Sequence, residues 1–245
     1  MSDSHAHAHP PYQRHHFETY EQQKEATTFA MWLFLLTEIM FFGGLFTAYL
    51  IYRNWYYPAF VAASHQLDII LGGINTLLLI TSSFTMAMGV WCAETRKKSG
   101  LVLSLVLTLI LGIGFLGIKT VEYKEKFEKH HVPGHTFSVQ SFIDPAHDEA
   151  TLKAVKQGEP MPDPMPLDMA RKTEMYFSLY FAMTGMHALH MVIGIGILGF
   201  LIVRAQQGAY TTGHVTMIEN FGLYWHFVDI VWIFLFPLLY LISRH

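Results

Sequence analysis

Five apolar runs, each about long enough to cross a bilayer, constrain this chain more than any other feature. They extend from Phe29 to Tyr52, Ile69 to Ala93, Leu101 to Ile118, Met175 to Val203 and Phe221 to Ile242. A hydrocarbon core takes about 20 apolar residues of helix to span. Within lipid every backbone N–H and C=O must be bonded inside the protein, which favours the α-helix for runs of this length. The predicted fold class is therefore all-α, a polytopic membrane helix bundle with five transmembrane helices. Composition points the same way: 52% of the 245 residues are hydrophobic and only 14% are charged. That balance is too apolar for an ordinary soluble domain.

Two polar segments punctuate the runs. Residues 1–28 read as a polar tail without the apolar stretch of a cleavable signal. In it His5, His7 and His9 alternate with alanine, and His15 and His16 follow. Such tracts bind metal when a geometry is fixed; nothing here fixes one, so no metal is expected. Residues 124–172 form a long proline-rich loop outside the membrane, with a short helix expected near Asp148–Gln157 and a binding role suggested by length. Residues 29–245 form the transmembrane domain. Tyr49, Tyr52, Trp55, Tyr56 and Tyr57 read as an interfacial aromatic belt that Pro58 closes, and Pro237 should kink the last helix. The short basic loop Arg96-Lys97-Lys98 puts the N-terminus in the cytoplasm and the 124–172 loop outside. A net charge of -3 gives no basic footprint for nucleic acid, and Cys92 alone cannot form an internal disulfide or a thiolate cluster.

The chemistry to explain is ionisable. Glu38 is the only charge in the first run; Glu122 lies just past the third; His187 and His190 lie in the fourth; His226 and Asp229 lie in the fifth. Such residues are costly in a bilayer and must face protein, water or a partner. A packing role is preferred over a proton or ligand site, because intramembrane polar groups also hold helices together. His226 and Asp229, three apart, share a helix face. Helical rise puts Glu38 roughly 14 Å from the inner end of its helix, with His187 near the midplane. The expected pairs are Glu38 with His187, and His190 with His226 or Asp229. Two histidines facing each other would also suit a haem. A secondary transporter is disfavoured, since no duplicated half is visible.

Residues 224–232 (YWHFVDIVW) resemble the final-helix motif of subunit III of the haem–copper respiratory oxidases, the cytochrome c oxidase subunit 3 family. Residues 35–42 (LLTEIMFF), 74–76 (INT) with Ser82 and Ser83, Glu122-Tyr123, and 184–190 (TGMHALH) resemble earlier helices of that family, in family order. The resemblance implies an accessory subunit, in the five-helix bacterial form, of a proton-pumping oxidase that reduces oxygen to water. It implies no catalytic centre and no cofactor in this chain, with haems and copper in partner subunits. Implied partners are subunit I as main contact, subunit II, a small subunit IV, and bound phospholipid. A supercomplex or cytochrome c partner is expected at the outer loop, and the location implied is the bacterial inner membrane. Glu38 would be the family's buried carboxyl. A quinol oxidase or nitric oxide reductase-type complex is the alternative assembly.

Overall fold

Each apolar run folds as one helix that outruns it at one end or both, except that the last helix stops at Tyr240, two residues short of the end of its run. The computed structural model describes residues 19–242 apart from 129, 135–136, 148–151, 153–154, 157–160, 162 and 211–214. The histidines at 5, 7, 9, 15 and 16 lie outside the described residues. The membrane-crossing helices are α1 (Tyr20–Trp55), α3 (Ile69–Glu94), α4 (Lys98–Glu128), α7 (Thr173–Gln206) and α8 (Thr216–Tyr240). Short helices lie between them, among them α2 (Tyr57–His65), α5 (Gln140–Ile143) and α6 (Leu167–Ala170). No strand occurs among the described residues.

The helix ends explain where hydropathy misplaces the boundaries. The polar tail stops short of residue 28, because α1 already begins at Tyr20. Thr19 accepts from the Gln22 N–H at 3.2 Å, and Glu21 sits in the first turn, where the helix dipole favours an acid. Pro58 does not close the first segment but opens α2; proline lacks an N–H that a first turn leaves unused anyway. Ala59, Phe60 and Ala63 of α2 are fully buried. Asp68 caps α3, its Oδ1 accepting from Ile70 at 2.9 Å and Leu71 at 3.2 Å. The turn into α4 puts Arg96 in the left-handed region at φ 57, and α3 and α4 then pack as an antiparallel hairpin.

The 124–172 loop is partly helical and packed. α4 continues to Glu128, and α5, a 3-10 turn at Pro145–His147 and α6 follow. The imidazole of His131 stacks on Phe177 of α7 at 5.1 Å and bonds Ser141 at 3.1 Å, tying the loop to the bundle. The helix expected near Asp148–Gln157 falls mostly outside the described residues; Leu152, Val155 and Lys156 are helical.

α8 is the axis of packing. Half of its apolar stretch is buried, against 11% for α1, so α1 is peripheral. Trp225 fits between α4 and α7 because glycines face it: a Cβ at Gly112 or at Gly194 would lie 3.0 Å from its ring. Its indole N–H donates to Ser82 at 3.0 Å, and that of Trp232 to Thr76 at 3.1 Å. α8 continues through Pro237 to Tyr240. The last carbonyls of a helix lack internal partners. Here Tyr49 of α1 donates to the Leu238 carbonyl at 2.6 Å and Tyr176 of α7 to that of Leu239 at 2.7 Å. Three helices are pinned at one end by two hydroxyls.

Candidate functional site

Two clusters of ionisable side chains tie helix to helix, one toward the C-terminal end of α4 and one near the middle of α1 and α7. The first is built on α4. Lys119 and Glu122 are i and i+3, so they share a face, and Lys119 Nζ meets Glu122 Oε2 at 2.9 Å. Both are almost completely buried, at 3% and 2% exposure. A buried pair survives only when its remaining hydrogen-bonding positions are filled. Lys119 also donates to Tyr240 at 2.8 Å and Tyr180 at 3.4 Å, and its ammonium lies 4.7 Å from the Trp232 ring centre. Tyr180 donates to Glu122 Oε1 at 2.7 Å, and Tyr240 donates to the same oxygen. One turn on, Tyr123 donates to Thr184 at 2.6 Å, and Thr184 donates to the Tyr180 carbonyl at 2.6 Å. Glu122 therefore lies inside its helix rather than past it. Lys119, Tyr180 and Tyr240 are the members that sequence reading missed. The i, i+3 spacing of Lys119 to Glu122 carried the signal, but the hydropathy boundary at Ile118 hid it.

The second group faces α1. Glu38 Oε2 lies 3.1 Å from His190 Nε2, so the carboxyl pairs with His190 and not with His187. His190 Nδ1 donates to the Met186 carbonyl at 2.8 Å. A carbonyl only accepts, so Nδ1 carries a proton. The contact with Glu38 then needs one further proton, held on Nε2 or on the carboxyl. Tyr224 of α8 donates to the His190 carbonyl at 2.8 Å and completes the link among α1, α7 and α8.

The pair closes the inner end of a cleft of about 1140 Å³ between α1, α7 and α8. The cleft runs along α1 from Gln23 and Lys24 to Glu38, a length of roughly 22 Å at the helical rise. Its mouth carries Lys24 and Arg204, both exposed, with Asn220 nearby; its walls are Phe34, Ile193, Ile197 and Phe221.

The other predicted partners stay apart. His187 is fully buried, and neither ring nitrogen has a hydrogen bond among the described residues. It packs edge-on to Phe115 at 5.4 Å and against Trp232 at 5.2 Å. The pairing of His190 with His226 or Asp229 is likewise absent. His226 instead bonds Ser83 of α3 through Nδ1 at 2.6 Å. Asp229 is 2% exposed; Ser83 is close enough to act on it, but neither carboxyl oxygen has a partner at hydrogen-bond distance. The physical reason is azimuthal: helical rise gives height but not which neighbour a residue faces, and His187 and His190 point to different helices. This arrangement also does not fit a haem. His187 is enclosed by two aromatic rings, His190 is held by Glu38, and His226 is held by Ser83. Among the described residues no three His, Cys, Asp or Glu side chains converge as a metal site requires.

Five lipid-length helices, two interior polar clusters that tie helix to helix, and one amphipathic cleft define a multi-pass membrane protein. Comparison with known proteins gives the family. The family model for Cytochrome c oxidase subunit III matches residues 168–244. A cytochrome c oxidase subunit 3 of Synechocystis sp. is 31% identical over 87% of this chain and 75% of its own. One of Thermostichus vulcanus is 27% identical over 98% and 92%. The quinol oxidase subunit 3 of Bacillus subtilis is 27% identical over 86% and 85%. The chain belongs to the cytochrome c oxidase subunit III family and is subunit III of a haem–copper oxidase.

Proposed function

We propose that this chain is the accessory, non-redox subunit of a proton-pumping cytochrome c oxidase in a bacterial inner membrane. Subunit I, with its haems and copper, reduces oxygen; subunit III packs on it beside subunit II and a small subunit IV. This chain keeps the complex intact during turnover, holds phospholipid and supports proton uptake. The cleft ending on Glu38 and His190 is the observation that carries the reading. Its depth suits an acyl chain, its walls are apolar, and its basic mouth suits a lipid phosphate. The mouth lies at the same end of the bundle as the Arg96–Lys98 turn, since α1 and α4 begin there and α3 and α7 end there. That basic end is the cytoplasmic one, with the N-terminus inside. The outer loop is the surface offered to an electron-donating partner.

The test uses the assembled oxidase with Glu38→Gln and Glu38→Ala, measuring initial oxygen reduction, activity over many turnovers and retention of subunit III. Glutamine can still bond His190, so a packing role expects normal behaviour in Gln and weakened retention in Ala. Faster loss of activity in Gln, with the subunit still bound, selects a role for the exchangeable proton. Loss of oxygen reduction at the first turnover in Gln overturns the non-catalytic assignment. A second reading, subunit III of a quinol oxidase, is favoured by the Bacillus subtilis relative. Assaying the purified complex with reduced cytochrome c and with a quinol separates the two.

A further inference from the structure

His226 presents a polar atom to the outside of the bundle at a depth where lipid offers nothing polar. Its Nδ1 is taken by Ser83 at 2.6 Å. Its Nε2 is neither buried nor bonded to any described residue. Either tautomer leaves Nε2 with one open hydrogen-bonding position, as donor or as acceptor. Residue 226 is five residues into the apolar run that starts at Phe221, and its partner Ser83 is ten residues from the Ala93 end of the run in α3, about 15 Å inside a hydrocarbon core. Lipid head groups and water do not reach that level, and an unfilled polar group there is strongly unfavourable.

The surroundings form a continuous apolar face. Ile230 and Ile233 follow His226 at i+4 and i+7 on α8 and are 50% and 42% exposed. On α3, Ile80 lies one turn from Ser83 and is 49% exposed, with Leu77 and Phe84 each 65% exposed. Gly73 lies two turns further along this stripe, and a Cβ there would meet nothing within 4 Å. The same stripe thus leaves room for a close helix approach about 15 Å along α3 from the polar atom that needs a partner.

We infer that the α3–α8 face centred on His226 docks a transmembrane helix of a neighbouring oxidase subunit, which supplies a hydroxyl, carboxamide or backbone group to Nε2. The inference rests on the proposed assembly with other oxidase subunits and says which face makes it. An acyl chain would cover the isoleucines but leave the imidazole unfilled.

A photo-crosslinking amino acid placed at Ile230, at Ile80 or, as a control, at Ile110 of α4 tests this in the intact oxidase in native membranes. Ile110 is 59% exposed. The inference expects covalent products with another oxidase subunit from Ile230 and Ile80, and lipid adducts alone from Ile110. Subunit products from Ile110 but only lipid or self-crosslinks from Ile230 and Ile80 overturn the face and leave the assembly standing. Lipid adducts or self-crosslinks at all three positions overturn the face and count against the assembly as well. In a second arm, His226→Phe should weaken retention of subunit III in detergent by about threefold to tenfold, the range one interhelical hydrogen bond supports. His226→Gln should restore most of it. Undiminished retention in Phe overturns the role of Nε2, and if Phe fails to insert, the crosslinking decides alone.

Discussion

Replacing Glu122 with glutamine keeps the shape of the side chain and removes the charge facing Lys119. The ammonium, at 3% exposure, would then face only neutral groups: the amide oxygen, the oxygens of Tyr180 and Tyr240 and the face of Trp232. Leaving one partner of a buried pair uncompensated costs about 3–5 kcal/mol. Removing both charges, in Lys119→Met with Glu122→Met, avoids that penalty. It leaves the Tyr180 and Tyr240 hydroxyls without their shared acceptor, at about 1–3 kcal/mol for each such group. Since hydroxyls can turn toward other acceptors, the double variant should be less destabilised than Glu122→Gln. The assay is thermal release of subunit III from the purified oxidase, with Lys119→Met, Glu122→Met and their double forming a cycle. Additive single effects, or a Glu122→Gln variant within about 0.5 kcal/mol of the parent, would refute the account of Lys119 and Glu122 as a coupled pair.

Other outcomes follow from the packing. Gly194→Leu should destabilise by about 1–3 kcal/mol or more through overpacking against Trp225, seen as a lower midpoint in thermal unfolding in detergent. Tyr49→Phe removes the hydroxyl on the Leu238 carbonyl and should cost about 1 kcal/mol in the same assay. Asp68→Ala removes the cap of α3 and should also cost about 1 kcal/mol. For topology, a membrane-impermeant thiol reagent added outside should label a cysteine at Asp163 and not one at Ser99; both sites are exposed, whereas the native Cys92 is buried. Labelling of Ser99→Cys alone would reverse the orientation.

Most of the fold was legible because the bilayer leaves so few choices. Five apolar runs became five helices, and order and alternation followed from their lengths. Hydropathy misread the ends, since polar residues continue a helix once it leaves the hydrocarbon: α1 starts at Tyr20 on its Thr19 cap, and α4 runs to Glu128. The ionisable residues were identifiable one by one, but their partners were not. Glu38 was paired with His187 by height, whereas His190 faces α1 and His187 turns toward Phe115 and Trp232. Lys119 escaped notice because it sits just past an apolar boundary, although its spacing to Glu122 already puts both on one face. The tyrosine hydroxyls that close the networks, at 49, 176, 180 and 240, come from distant helices, and no local pattern marks them.

The central claim is that this chain sustains an oxidase without carrying its chemistry. The direct measurement is oxygen consumption by the purified oxidase with and without subunit III, from the first turnovers onward, with haem absorbance recorded on both preparations. The account predicts the same haem spectrum and the same initial rate per haem, followed by a faster decline of activity in the enzyme lacking the subunit. A missing haem band, or a rate already lost at the first turnover, would contradict it.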